Sequence, residues 1–221
     1  MITMNDTNIM ILVIILIIGI VIFIYGSNTW DIIIVLIITM IIGYVLYKQS
    51  HNDMVYVKSN IDGESYLVRD LPDKQISADQ LSKIRKNMIT LTDYLVKNKS
   101  KFPSYATYID LLNSKIRNSV IMENGEDSVY TSYSVNKGEQ IVFCLRSRKN
   151  KNEIHDLNLM MYVVIHEMAH VGCPSIGHTD EFRMIFAFFT QEAIKLGLYK
   201  KIDFKNNPME YCGMTVSESI I

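Results

Sequence analysis

The sequence predicts an α+β protein: an N-terminal transmembrane helical hairpin followed by a small domain of helices plus a short antiparallel sheet. Three observations carry this. Two long apolar runs open the chain, a histidine pair at helical spacing lies late in it, and two β-rich segments joined by Asn136-Lys137-Gly138 stand between. The expected boundaries are 1–50 for the hairpin, 51–75 for a linker or domain start, and 76–221 for the domain.

Residues 9–25 are apolar apart from one Gly, and residues 32–47 are interrupted only by Thr39 and Gly43. Each run approaches the about 17–25 residues of a membrane span. The six residues between them are polar or interfacial, and Tyr25, Trp30, Tyr44 and Tyr47 stand near the ends, where aromatic rings favour the interface. The first basic residue is Lys48, so no basic n-region of a signal peptide precedes the first run. Lys48 and Lys58 after the second run put both ends of the hairpin in the cytosol by the positive-inside rule. The expectation is an integral membrane protein with two spans, contact with a lipid bilayer through residues 9–47, and a cytosolic soluble domain. Three cysteines, an odd and sparse set, argue against disulfides and fit a reducing compartment.

In the domain, residues 65–69 read as a short extended segment. Ser77 is placed to cap a helix running to about Asn98, with Leu81, Ile84, Met88, Leu91 and Leu95 as its buried stripe. Pro103 opens a second helix bearing Tyr105, Tyr108, Ile109, Leu112 and Ile116. Residues 128–135 and 140–145 read as strands, and Asn136-Lys137-Gly138 suits a three-residue hairpin loop. Residues 146–151 hold four basic side chains without interleaved aromatics, which reads as a solvated loop. The net charge of −1 gives no general attraction for nucleic acid, which is not an expected partner.

Asp156 can N-cap a helix opening at Leu157, and an apolar run leads into His166-Glu167-Met168-Ala169-His170. Residues four apart share a helix face, so His166 and His170 can bind one Zn2+ while Glu167 acts as general base on the water the metal activates. Gly172 and Pro174 end that helix, and Gly177 lets the chain double back to bring His178 to the pair. Thr179 caps a final helix to about Leu196, with Phe182, Ile185, Phe186, Phe189 and Ala193 as its packing stripe. Cys173 is a rival metal ligand, and Asp180 and Glu181 are lesser ones that suit the helix N-terminus. His155 and His51 read as plain polar residues. The tail holds a short strand near residues 214–216, and Tyr211 is a candidate oxyanion donor.

The pattern His166-Glu167-Met168-Ala169-His170 followed by Gly177-His178-Thr179-Asp180-Glu181-Phe182 resembles the zincin group that contains the SprT-like and WLM metallopeptidases. Residues 66–69, 132–138 and 211–213 add a resemblance to membrane-anchored WLM-like proteins of large DNA viruses. The likeness implies a zincin-like fold over about residues 60–215, a host-cell or virion membrane, zinc on His166, His170 and His178, and Glu167 as catalytic base. The His170–His178 gap is longer than is usual in WLM proteins. The expected function is that of a membrane-anchored zinc metalloprotease acting on a protein or peptide substrate. The alternative is a catalytically silent zincin scaffold acting in binding or structure.

Overall fold

A computed structural model describes residues 19, 29–51, 53–150 and 153–221. The chain divides into two compact units, Met1–Asp53 and Met54–Ile221.

Within the first unit, α1 spans Thr29–His51. The expected first span lies outside the described residues except for Gly19. Among the described residues, no helix is long and apolar enough to cross a membrane. The apolar stretch inside α1 is about 16 residues, bounded by Asp31 and Lys48. At about 1.5 Å per residue it covers about 24 Å, short of a hydrocarbon core of roughly 30 Å. The two-span hairpin and the integral-membrane placement are therefore corrected.

The second unit opens with β1 (Met54–Lys58) and β2 (Ser65–Arg69), paired antiparallel with Met54 opposite Arg69 and Lys58 opposite Ser65. Residues expected to be a linker or domain start thus already form a hairpin of this unit. Helix α2 (Lys74–Lys97) begins one turn before the expected cap. Ser77 is fully buried inside it and accepts from Arg146 Nη2 at 2.8 Å. Asp73, at the N-cap position, makes no side-chain cap bond, because its carboxylate is taken by Arg146 Nη1 at 2.7 Å. The expected stripe, Leu81 through Leu95, is buried. Two 3-10 turns (Lys99–Lys101 and Pro103–Tyr105) lead into α3 (Ala106–Ile116).

A three-stranded sheet follows, with its last strand in sequence at the centre. Strand β3 (Val120–Glu123) runs parallel to β5 (Gln140–Phe143), and β4 (Tyr133–Val135) runs antiparallel to it. The sheet is mixed rather than antiparallel. The β4 strand is shorter than expected because Asn124 draws the preceding residues away: its Nδ2 donates to the carbonyls of Tyr130 and Thr131 at 2.7 Å. The basic segment after β5 is not wholly solvated either. Arg146 is buried and paired through Nε with Glu123 at 2.7 Å.

The central element is α4 (Leu157–Gly172), whose apolar side chains pack against α2, α3 and α5 (Asp180–Lys195). Each such side chain removed from water contributes roughly 1.5–3 kcal/mol, so this helix is rigidly held. The chain closes in a hairpin of β6 (Met209–Tyr211) and β7 (Met214–Val216) around Cys212 and Gly213, both at positive φ as its two-residue turn needs. Cys212 is disulfide-bonded to Cys144, which corrects the expectation of reduced cysteines; Cys173 is the free thiol among the described residues.

Candidate metal centre

Two of the histidines are fixed by helix geometry. Asp156 caps α4, accepting from Asn158 N at 2.8 Å, and the helix carries His166 and His170 one turn apart. The chain leaves the helix at Cys173, which is extended, and turns through Gly177 at φ +83°. Thr179 then caps α5, accepting from Phe182 N at 3.2 Å. His178 sits on the inside of that return. The Nε2 atoms of the three imidazoles lie 3.1 Å (His166–His170), 3.2 Å (His170–His178) and 3.0 Å (His166–His178) apart.

These separations suit a metal ion. Nitrogens about 2.0–2.1 Å from a tetrahedral zinc stand roughly 3.3 Å apart. A neutral imidazole has a single N–H, so three convergent Nε2 atoms cannot satisfy one another by hydrogen bonding alone. The two imidazoles on α4 are also kept unprotonated. Burial, reinforced by the neighbouring rings, pushes His166 down to about 3. Burial, with His178 and the charge of Lys137, pushes His170 down to about 4. Neutral imidazole is the form that ligates.

Phe182 forms the floor of the cluster. Its ring stacks on His170 at 4.1 Å between centroids and stands edge-on to His166 at 5.0 Å and His178 at 4.9 Å. In the sequence it stood only as one position of a packing stripe and of the family pattern.

Glu167 lies on α4 with 3 % exposure. Its Oε2 is buried and has no protein hydrogen-bond partner, and burial pushes its carboxyl up to about 8. A dication beside it would pull that value back down. The carboxyl borders a cavity of about 650 Å³ shared with all three histidines, with β4, and with Tyr211 and Met214 of the terminal hairpin.

The rival ligands fall elsewhere. The thiol of Cys173 is turned to Ser175 Oγ at 3.1 Å, outside the three-histidine group. Glu181 accepts from Tyr108 OH and Ser175 Oγ at 2.9 and 2.6 Å, and Asp180 is exposed on the first turn of α5. His155 is not a plain polar residue: it is buried and accepts from Cys212 N at 3.2 Å through Nε2. His51 ends α1.

Tyr211 is buried at the cavity wall, which its phenolic position in the sequence could not show. A closed loop of bonds holds it. Its hydroxyl shares a hydrogen bond with Ser132 Oγ, Ser132 Oγ accepts from Cys144 N at 3.0 Å, and Cys144 is bonded to the residue after Tyr211.

Three viral proteins are similar to this chain. "Uncharacterized protein R325" of Acanthamoeba polyphaga mimivirus is 44% identical over 178 residues, which cover 80% of this chain and 90% of that protein. "Uncharacterized protein 136R" of Invertebrate iridescent virus 6 is 27% identical over 175 residues, 76% of this chain and 91% of that protein. "Uncharacterized protein 042R" of Invertebrate iridescent virus 3 is 41% identical over 85 residues, 38% of this chain and 50% of that protein. No family model matches the chain. No solved structure matches it. At that identity and coverage, the chain belongs to the family of viral proteins that includes the mimivirus protein.

Proposed function

We propose that the chain is a zinc metallopeptidase, with His166, His170 and His178 as metal ligands and Glu167 as general base. The observation that carries this reading is the convergence of the three Nε2 atoms to 3.0–3.2 Å beside a buried carboxylate. An all-imidazole set also suits copper, iron or nickel. Zinc is preferred because a carboxylate suited to act as hydrolytic base borders the cavity and, among the described residues, no further histidine, cysteine or carboxylate lines it.

When bound, zinc supplies a Lewis acid that polarises the scissile carbonyl and lowers the pKa of the attacking water. The protein's own groups do the rest. Glu167 would orient that water and take its proton, then deliver the proton to the departing amine nitrogen. Its burial would strengthen each of these interactions. Strand β4 lies at the edge of its sheet and lines the cavity, so an extended peptide can add to it by backbone hydrogen bonds. Tyr162, Val163 and Met214 give the same cavity apolar walls for substrate side chains.

The test is metal content and hydrolysis of an unfolded protein by the full chain, against Glu167→Gln. The reading expects about one zinc per chain in both forms and cleavage by the wild type alone. Equal cleavage by the two forms, or none by either over several unfolded substrates, would overturn it.

A further inference from the structure

His166 and His170 owe their spacing to α4, but His178 has no such support. It follows a loop, residues 173–177, most of which is exposed. Segments with few buried apolar contacts open readily, so something other than packing must set the third imidazole in place.

Two groups hold the loop. From one side, Lys137 Nζ donates to the carbonyl oxygens of Cys173, Pro174 and Ser175 at 2.8, 3.1 and 2.5 Å. An ammonium has three hydrogens, and here three successive carbonyls receive them. These carbonyls also stand where α4 ends, the negative pole of the helix. From the other side, Glu181 Oε2 accepts from Ser175 Oγ at 2.6 Å, and Ser175 Oγ contacts Thr179 Oγ1, the cap of α5, at 3.0 Å.

The turn that carries Lys137 is itself anchored. Asn136, Lys137 and Gly138 all have positive φ, at 48°, 57° and 104°. At Gly138 a Cβ would meet Val171 of α4 at 2.9 Å. The β4–β5 turn therefore lies directly against the end of the metal helix, and its lysine reaches over that end to the loop.

We propose that Lys137 is a positioning residue that presets His178 as the third metal ligand by clamping the carbonyls of residues 173–175. This rests on the metal-centre reading. The clamp orders the loop before any ion arrives, so metal binding does not bear the whole ordering entropy. The sign of the effect separates this role from a simple field effect. Lys137 is close enough to disfavour a proton on His170. By charge alone, removing it should therefore strengthen the hold on a dication. Removing a clamp should weaken it.

The experiment measures zinc affinity of the full chain by competition with a chromogenic chelator, alongside the thermal midpoint of the metal-free protein. Lys137→Met keeps the apolar stem and deletes the ammonium. The expected result is a loss of about 10–100-fold in zinc affinity, the usual size of an outer-shell change, with the metal-free protein still folded and melting cooperatively, at a somewhat lower midpoint. Lys137→Gln, which keeps a shorter, uncharged amide donor group, should fall between. In a His178→Ala background, Lys137→Met should have no further effect. Zinc bound as tightly by Lys137→Met as by wild type, or an equal loss with and without His178, overturns the clamp and leaves the metal centre standing. Wild-type protein that takes up no zinc removes the metal centre and the clamp together.

Discussion

The Nε2 of His178 lies 3.0 Å from the Nε2 of His166, across a helix end and a turn, twelve residues along the chain. A helix can present two imidazoles to one point, but only a tertiary return can supply the third. His178→Ala should therefore weaken zinc binding by more than the about 10–100-fold of an outer-shell change, while the fold, built on α4, persists. Chelator competition with a circular-dichroism melt would check this, and unchanged affinity would contradict it.

Phe182 stacks on His170 and touches the other two rings, and it is 2 % exposed. Phe182→Ala should lower stability by about 3–5 kcal/mol, the range for a buried phenylalanine, and should also weaken zinc binding, because the three rings lose their common floor. Denaturant unfolding with and without zinc separates the two effects. Phe182→Leu should recover most of the stability and less of the affinity.

The disulfide between Cys144 and Cys212 closes a sequence separation of 68 residues. Loop entropy alone gives about 4 kcal/mol for a loop of that length, and measured values are commonly lower. Cys212→Ser should thus lower the unfolding free energy by about 2–4 kcal/mol. A reductant should lower the wild type to the same level and leave the variant unmoved. Equal midpoints for the oxidised wild type and the variant would show that the bond contributes nothing.

Arg146 and Glu123 form a buried ion pair, with side-chain exposures of 3 % and 1 %. Glu123→Gln takes one of two carboxylates from the buried guanidinium, which keeps Asp73, so it should cost about 1.5–3 kcal/mol, measurable by denaturant unfolding. Asp73, on the outer side of the same guanidinium, adds a pH dependence. Its hydrogen bond to Arg146 holds the carboxyl below its ordinary 3.8. The unfolded chain then binds the proton more readily than the folded one. The contribution is complete above about pH 3.8 and disappears as pH falls through the lower folded value. Asp73→Asn should flatten that acid limb, and an unchanged acid limb would contradict the assignment.

The site was more legible in the sequence than the fold around it. Helical spacing alone aligned His166 with His170, and a Gly-Pro-Gly return is a local signal that brought His178 into reach. The Lys137 clamp has no local signal, since its carbonyl partners lie 36–38 residues away. The same is true of Arg146, whose partners Glu123 and Asp73 bury the start of an apparent solvated loop and whose guanidinium takes up Ser77, the expected cap. Strand β3 is four residues long and gains its identity only from pairing with β5. An odd cysteine count hid one bonded pair and one buried thiol. Hydropathy misled at residues 32–47, where an apolar run just short of a membrane span in length read as one.

X-ray absorption at the zinc edge of the full chain, loaded with one equivalent of zinc, tests the central claim most directly. The account predicts a shell with three imidazole nitrogens at about 2.0–2.1 Å, reduced in number by His178→Ala. A sulfur scatterer at about 2.3 Å, or failure to retain zinc at all, would contradict it.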